Sequence, residues 1–480
     1  MMRVRLALRG ILGAGLAGLI LLATAFTPGH AQAPTFVAPP RTIADITAIL
    51  DREKPDPAAI AKLKADAHKT PPTGASRAAL AQFYFDRGNA HALLGQVNDA
   101  ISDAQKAVEL GQGAADFNHL GRYRQFLASQ LWAAGEAKKA LQVTLAHIRE
   151  ADRQGPERAH LFGFQRATAL MLIQTGDLAQ AENYVRRNQA LLQEVRSSPI
   201  PGWRAAYPRY RNTWEADVEM GRAFIFEARG QLQNAEAAYV RAEALKRASL
   251  KDVPNWHAPP PKDDIAFWSD GLVRAIARSK MRQGRLAEAE ADARRALLAR
   301  LSVQGKYHAR TPSFIIGLAD ILIAQGRFSE AEKLIRVSLE IQSSLAIADD
   351  KPATATILAR LGSVLNLLGR PNEAADVYAR YDRAVAGWDS LHREAGELDG
   401  TRVYLLYAAG QVDAGISAAQ ALLKRQIARF GEKHVNTATA RGTLAIGLAK
   451  AGRKDEAIRE FRAAIPALIA AAAKTLTTTP

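Results

Sequence analysis

The chain has 480 residues, 48% of them apolar, a formal net charge of +16 and no cysteine. The apolar share excludes a disordered protein, and the lack of cysteine excludes disulfides, thiolate metal ligands, a cysteine nucleophile and lipid attachment through an N-terminal cysteine. Aromatics at only 7%, abundant alanine and no long apolar/polar alternation point to an all-α chain.

At the N-terminus, Arg3, Arg5 and Arg9 precede a largely apolar run from Ile11 to Phe26, which ends in GHAQA at 29–33. This is the layout of a secretory signal peptide, with cleavage expected after Ala31. The rival reading is an uncleaved anchor, and the shortness of the run counts against it, because a spanning helix prefers about 20 residues. The expected location is periplasmic or secreted, and without the three leader arginines the mature chain still carries +13. Such a field favours acidic peptides, anionic membrane surfaces or polyanions. GAGLAG at 13–18 spells GxGxxG, but no strand precedes it and no acidic residue follows at the distance of a ribose contact, so it is not read as a dinucleotide site.

Residues 32–79 form a proline-containing segment with short helices, and residues 466–480 a C-terminal tail. Between them, over residues 80–465, a glycine followed five residues later by alanine recurs at a steady interval. The pairs are Gly95 with Ala100, Gly135 with Ala140, Gly176 with Ala181, Gly230 with Ala235, Gly284 with Ala289, Gly326 with Ala331, Gly369 with Ala374 and Gly452 with Ala457. Gly410 keeps the phase, with Gly415 in place of its alanine. Most intervals lie near 42 residues and two reach 54, which is the signature of stacked helical hairpins. A glycine can take the left-handed conformation that ends the first helix, and a small residue five positions on lets the second helix cross closely.

The stretch YFDRGNAHALLGQVNDAISDAQKAVEL at 84–110, with small residues at Gly88, Gly95, Ala100, Ala104 and Ala107, resembles the tetratricopeptide repeat. LARLGSVLNLLGRPNEAADVYARY and LAIGLAKAGRKDEAIREFRAA resemble it as well. The longer period resembles the kinesin-light-chain type. The resemblance implies an α-solenoid of about nine hairpins forming a right-handed superhelix. The two GxxHxxT copies, GKYHART at 305–311 and GEKHVNTATA at 431–440, stand three such periods apart, so His308 and His434 read as turn residues rather than catalytic ones. Thr311, Thr354 and Thr437 are expected at the N-caps of the following first helices.

No metal-ligand pairing, nucleophile elbow or phosphate loop is present, so no catalytic, cofactor or metal residue is assigned and a non-enzymatic protein is expected. In the repeat, the concave face is lined by positions two, five, nine, twelve and thirteen, counted with the glycine as fifteen. This places Arg122, Arg166, Arg274, Arg278 and Arg282 in the groove, where they either hold an acidic protein or peptide or only solubilise the chain. Trp132, Phe224, Tyr404 and Tyr407 fall in the same register, as anchors or as packing between repeats. The two long intervals contain SSPIPGWRAAYPRYR at 197–211 and VPNWHAPPPKDD at 253–264, expected as irregular excursions that present Trp203, Tyr207, Tyr210 and Trp256 to a partner or brace the hairpins. Export argues against nucleic acid. A second reading comes from RTIADITAILDREKPDP and the final EFRAAIPALIAA, which resemble the region before a CHAT domain; here the caspase-like half and its cysteine are missing, so that reading implies a protease-less relative.

Overall fold

A computed structural model describes residues 38–54, 57–152, 161–255, 262–396 and 400–476. The expected signal peptide and Trp256 lie outside the described residues. Two helices, α1 (Ala44–Arg52) and α2 (Pro57–Ala67), precede nine helix pairs. The first four pairs are α3 (Arg77–Leu93) with α4 (Val97–Gly111), α5 (Phe117–Ala133) with α6 (Ala137–Ala151), α7 (Leu161–Thr175) with α8 (Leu178–Ser197), and α9 (Pro201–Ala228) with α10 (Leu232–Ser249). Then come α11 (Lys262–Arg282) with α12 (Leu286–Gln304), α13 (Pro312–Ala324) with α14 (Phe328–Ser344), and α15 (Pro352–Leu367) with α16 (Pro371–Val385). A short helix, α17 (Ser390–Gly396), intervenes before α18 (Thr401–Ala408) with α19 (Val412–Phe430) and α20 (Val435–Lys450) with α21 (Lys454–Leu476). The described residues contain no strand, and the chain is an all-α solenoid.

The sequence period is visible in the backbone. All nine repeat glycines have φ between 71° and 95°, and at each the next backbone N–H donates to the carbonyl five residues before the glycine's successor, at 2.8 to 3.1 Å. That bond closes the first helix and turns the chain into the second, and a residue with a Cβ would strain it. Ala100, Ala140, Ala181, Ala235, Ala289, Ala331 and Ala374 are fully buried at the crossing. In the eighth pair a Cβ at position 415 would overlap the Tyr407 ring, which is why glycine stands there.

Two expectations are corrected. Of the three threonines, Thr311 holds the N-cap position of α13 without a side-chain capping bond, and Thr354 and Thr437 are not N-caps. Thr311 and Thr437 donate their hydroxyls back to the carbonyls of Gly305 and Gly431, at 2.9 and 2.8 Å, and tie the turn together. Thr354 lies inside α15, whose cap position is Lys351. In α20 the capping side chain is His434, whose Nδ1 accepts from the Asn436 N–H at 3.1 Å. Nor is 197–211 a loop: Pro201 begins α9, a 28-residue helix with Pro208 inside it. Proline suits the first turn and normally breaks the interior. Here Trp203, Tyr207, Tyr210 and Trp214 recur at helical spacing and pack with Phe162, and that apolar face outweighs the lost hydrogen bond.

The array also touches itself across one turn of its winding. Helix α1 docks Ile46 and Leu50, both fully buried, among the core residues of the fifth and sixth pairs. Arg294 grips its Asp45 carboxylate at 2.8 Å and the Thr42 carbonyl at 2.7 Å. Glu53 accepts from the Lys306 N–H. Ile347 lies on Gly95; Trp388 lies on Gly135, where an added Cβ would meet it at 2.6 Å. Asp389 accepts from the Lys138 N–H at 2.9 Å and donates its own N–H to the Gly135 carbonyl at 3.2 Å. Arg429 donates to the Gln174 carbonyl at 3.0 Å, and the His434 ring lies over Gly230. These contacts form a seam in which the turn inside one pair meets a turn between later pairs.

Candidate functional site

Beside the seam lies a chamber of about 720 Å³. Its walls come from α5, α7, α9, α10 and α11 on one side and from Arg429, Phe430 and Asn436 on the other. Four of the arginines expected in the groove, Arg166, Arg274, Arg278 and Arg282, line it together. Arg122 stands apart, over the Phe85 ring at 5.4 Å. Trp203, only 3% exposed, belongs to the aromatic core of α9 and is not partner-facing, and Tyr210 is partly buried against that core. Tyr207, partly buried against the same core, donates to Glu215 at 2.8 Å and accepts from Arg196 at 2.8 Å. Of the register aromatics, Phe224 reaches the chamber, Trp132 packs on His392, and Tyr404 and Tyr407 pack within the eighth and ninth pairs.

The lining has six cations, Arg166, Lys246, Arg274, Arg278, Arg282 and Arg429, against two carboxylates, Asp217 and Glu227. The carboxylates are already engaged. Glu227 accepts from Arg278 Nε and Nη2 at 2.8 Å each, from Arg282 at 3.1 Å and from the Tyr239 hydroxyl at 2.7 Å. Burial alone would raise its pKa, but these cations and the hydroxyl hold it down at about 2. Burial likewise opposes the charge on Arg278, and the Glu227 carboxylate more than compensates. Asp217 sits 3.0 Å from Arg166 and 3.3 Å from Lys246, and burial keeps the Lys246 ammonium below its ordinary range against the pull of Asp217.

Two cations are left over. Arg274 has no hydrogen bond or ion pair among the described residues; its Nε is buried, and its guanidinium lies 5.7 Å from the Phe314 ring centre. Burial, and after it the repulsion of Arg278, push its pKa down to about 10. Arg429 spends one donor on Gln174 and keeps a buried Nε without an acceptor; burial pushes it down to about 10 as well. A desolvated charge without a counterion is costly, so an anion placed between these groups is strongly favoured. Apolar side chains, among them Leu170, Ile173, Met220, Phe224 and Leu272, supply the rest of the wall. No group of acidic residues or histidines suited to a metal occurs among the described residues.

Counting from the glycines could have found Asp217 and Glu227, which occupy positions two and twelve of the fourth repeat. Lys246 and Arg429 lie outside the first-helix positions: Lys246 comes from the second helix of the fourth pair, and Arg429 enters only through the winding of the array.

His434 closes the chamber's neighbouring mouth, which Arg229, Arg282 and Phe430 also line. It is 9% exposed and stacks on Phe430 at 4.6 Å. Burial, then the Arg282 charge, push its pKa from 6.5 down to about 4. Between these values the unfolded chain binds a proton that the folded chain refuses, so this contribution is full above pH 6.5 and is lost as the pH falls towards 4. Over that window the wild type should lose about 3 kcal/mol more stability than His434→Asn, which keeps a capping acceptor. Urea unfolding at each pH measures the difference, and equal losses would contradict it.

Comparison with known proteins agrees with this architecture. Residues 271–344 and 316–381 match the tetratricopeptide repeat family. A Rap protein solved in complex with Competence and Sporulation Factor is similar in fold, with a TM-score of 0.52 and 11% identity over 82% of this chain and 99% of that one. A putative kinesin light chain from Podosopora anserina, with nearly identical repeats, gives a TM-score of 0.31 and 17% identity over 41% of this chain and 93% of its own. The apo quorum sensor NprR from B. thuringiensis gives 0.41 and 13% over 68% and 81%. No curated protein matches the chain.

Proposed function

Because the chain is a protein of tetratricopeptide repeats, we propose that it is an exported, non-enzymatic interaction scaffold whose chamber takes an acidic peptide segment of its partner. The observation that carries this reading is the charge imbalance of the lining, six cations against two carboxylates that are already paired. A chamber of about 720 Å³ is of the size that encloses a small ligand or a short stretch of chain, not a folded domain. The apolar wall would seat side chains while Arg274 and Arg429 take up carboxylates through charge-assisted hydrogen bonds. The Rap protein solved with Competence and Sporulation Factor is a precedent for a loaded array of this fold, not for these residues.

The test is fluorescence anisotropy with labelled hexaglutamate and hexaglutamine. Hexaglutamate should bind and hexaglutamine should not, with affinity falling as salt rises. Arg274→Gln combined with Arg429→Gln should weaken binding at least about tenfold while leaving the helical spectrum intact. Equal binding of both peptides, or an unchanged affinity in the double variant, would sink the reading. If the chain is exported as proposed, material recovered from the exported fraction begins at Gln32; a retained N-terminus would refute cleavage.

A further inference from the structure

The chamber is built from parts that meet only across the seam. Arg274, Arg278 and Arg282 belong to the fifth pair, whereas Arg429, Phe430 and Asn436 belong to the turn between the eighth and ninth. Both sides carry uncompensated positive charge. Arg274 has no hydrogen-bond or ion-pair partner among the described residues, Arg429 crosses the seam with a bond to the Gln174 carbonyl, and Arg282 stands close enough to His434 to disfavour its protonation. Like charges on the two sides of a contact line push it apart, and an anion between them removes the repulsion and adds a bond to each side.

Among the described residues, the later half of the seam also contains the shortest helix of any pair. The first helix of the eighth pair, α18, has 8 residues, against 16 in α15 and 16 in α20. The short α17 leaves the stack there and lies against α6 and α7, with its N-terminus held by Asp389, which accepts from the His392 N–H at 2.8 Å and caps the Lys138 amide across the seam. A pair with a truncated helix has fewer packed contacts to hold it in line, so it is the natural place for the last two pairs to move against the rest.

We propose that an acidic peptide in the chamber is shared between Arg274 and Arg429, and that it thereby clamps the seam, so that ligand binding and seam closure are one event. The proposal rests on the reading of the chamber given above. It makes the partner a ligand with at least two anionic groups, because one carboxylate satisfies only one side.

The chain has no cysteine, so two can be introduced cleanly. Gln233 and Lys433 are exposed, lie on the early and late sides of the seam, and both line the opening beside the chamber. With spin labels at Gln233→Cys and Lys433→Cys, the distance distribution should be broad without peptide, narrow on adding hexaglutamate and stay broad with hexaglutamine. Asp389→Ala, which weakens the seam without touching the chamber lining, should lower hexaglutamate affinity about tenfold, as coupling between the two sites requires. Arg429→Gln should abolish the narrowing. Binding of hexaglutamate with an unchanged distribution, or undiminished affinity in Asp389→Ala, overturns the clamp and leaves the chamber reading standing. Absence of hexaglutamate binding overturns both.

Discussion

Glu227→Gln should make the protein less stable and a better binder at once. The substitution keeps the shape of the side chain and its contact with Tyr239, but leaves Arg278 and Arg282 without the carboxylate they share at 2.8 and 3.1 Å. Breaking a buried pair in this way costs about 3 kcal/mol, the lower end of the usual range, because the two guanidiniums retain 42% and 24% of their side-chain exposure and keep water as a partner. The effect is tied to pH. Glu227 titrates near 2 in the folded chain and near 4.5 when unfolded, so its contribution is present above pH 4.5 and disappears as the pH falls through 2. The stability gap between wild type and variant, followed by urea unfolding, should be constant above pH 5 and shrink in stronger acid. Hexaglutamate, meanwhile, meets two additional uncompensated arginines and should bind about tenfold more tightly. A variant that loses stability without gaining affinity would mean that Glu227 is not competing with the ligand for these cations.

Gly362→Ala should cost about as much by a different route. The Tyr378 ring of α16 lies against this glycine of α15, so that an added Cβ would come within 2.7 Å of Cε2 and 2.8 Å of Cζ. Tyr378 is 4% exposed and its hydroxyl is 3.1 Å from Ser363 Oγ, which leaves it little room to withdraw. Overpacking of this kind costs about 2–3 kcal/mol, although alanine is otherwise the better helix former. Pairing the substitution with Tyr378→Leu should recover most of the loss in a double-mutant cycle. Additive effects would show that the ring is not what excludes a side chain at 362.

The nine hairpins were legible because the residues that make them act locally. A glycine at φ near 75° and a buried alanine at a helix crossing need no knowledge of the rest of the chain. The same count located Arg166, Arg274, Arg278 and Arg282 in one groove, and it also contained Asp217 and Glu227, whose carboxylates neutralise most of the stripe. The mistaken loop at 197–211 came from weighting Pro201 and Pro208 above the spacing of Trp203, Tyr207, Tyr210 and Trp214, which is that of a helix face. Arg429 could not have been found this way. Its place in the chamber depends on how far the array turns over some 250 residues, the sum of small rotations at each crossing that no single repeat encodes.

An open array of repeats gains one set of neighbour contacts for each hairpin added, and its hairpins can melt independently. The seam ties Glu53 to Lys306, Lys138 to Asp389 and Gln174 to Arg429, separations of 251 to 255 residues. A chain fastened in this way resembles a hoop more than a ladder. Its melting should be shared between distant hairpins, its folding must wait for the ends of a long loop to meet, and its length is no longer free. Removing one complete hairpin would leave every remaining hairpin intact and still bring the wrong turns face to face.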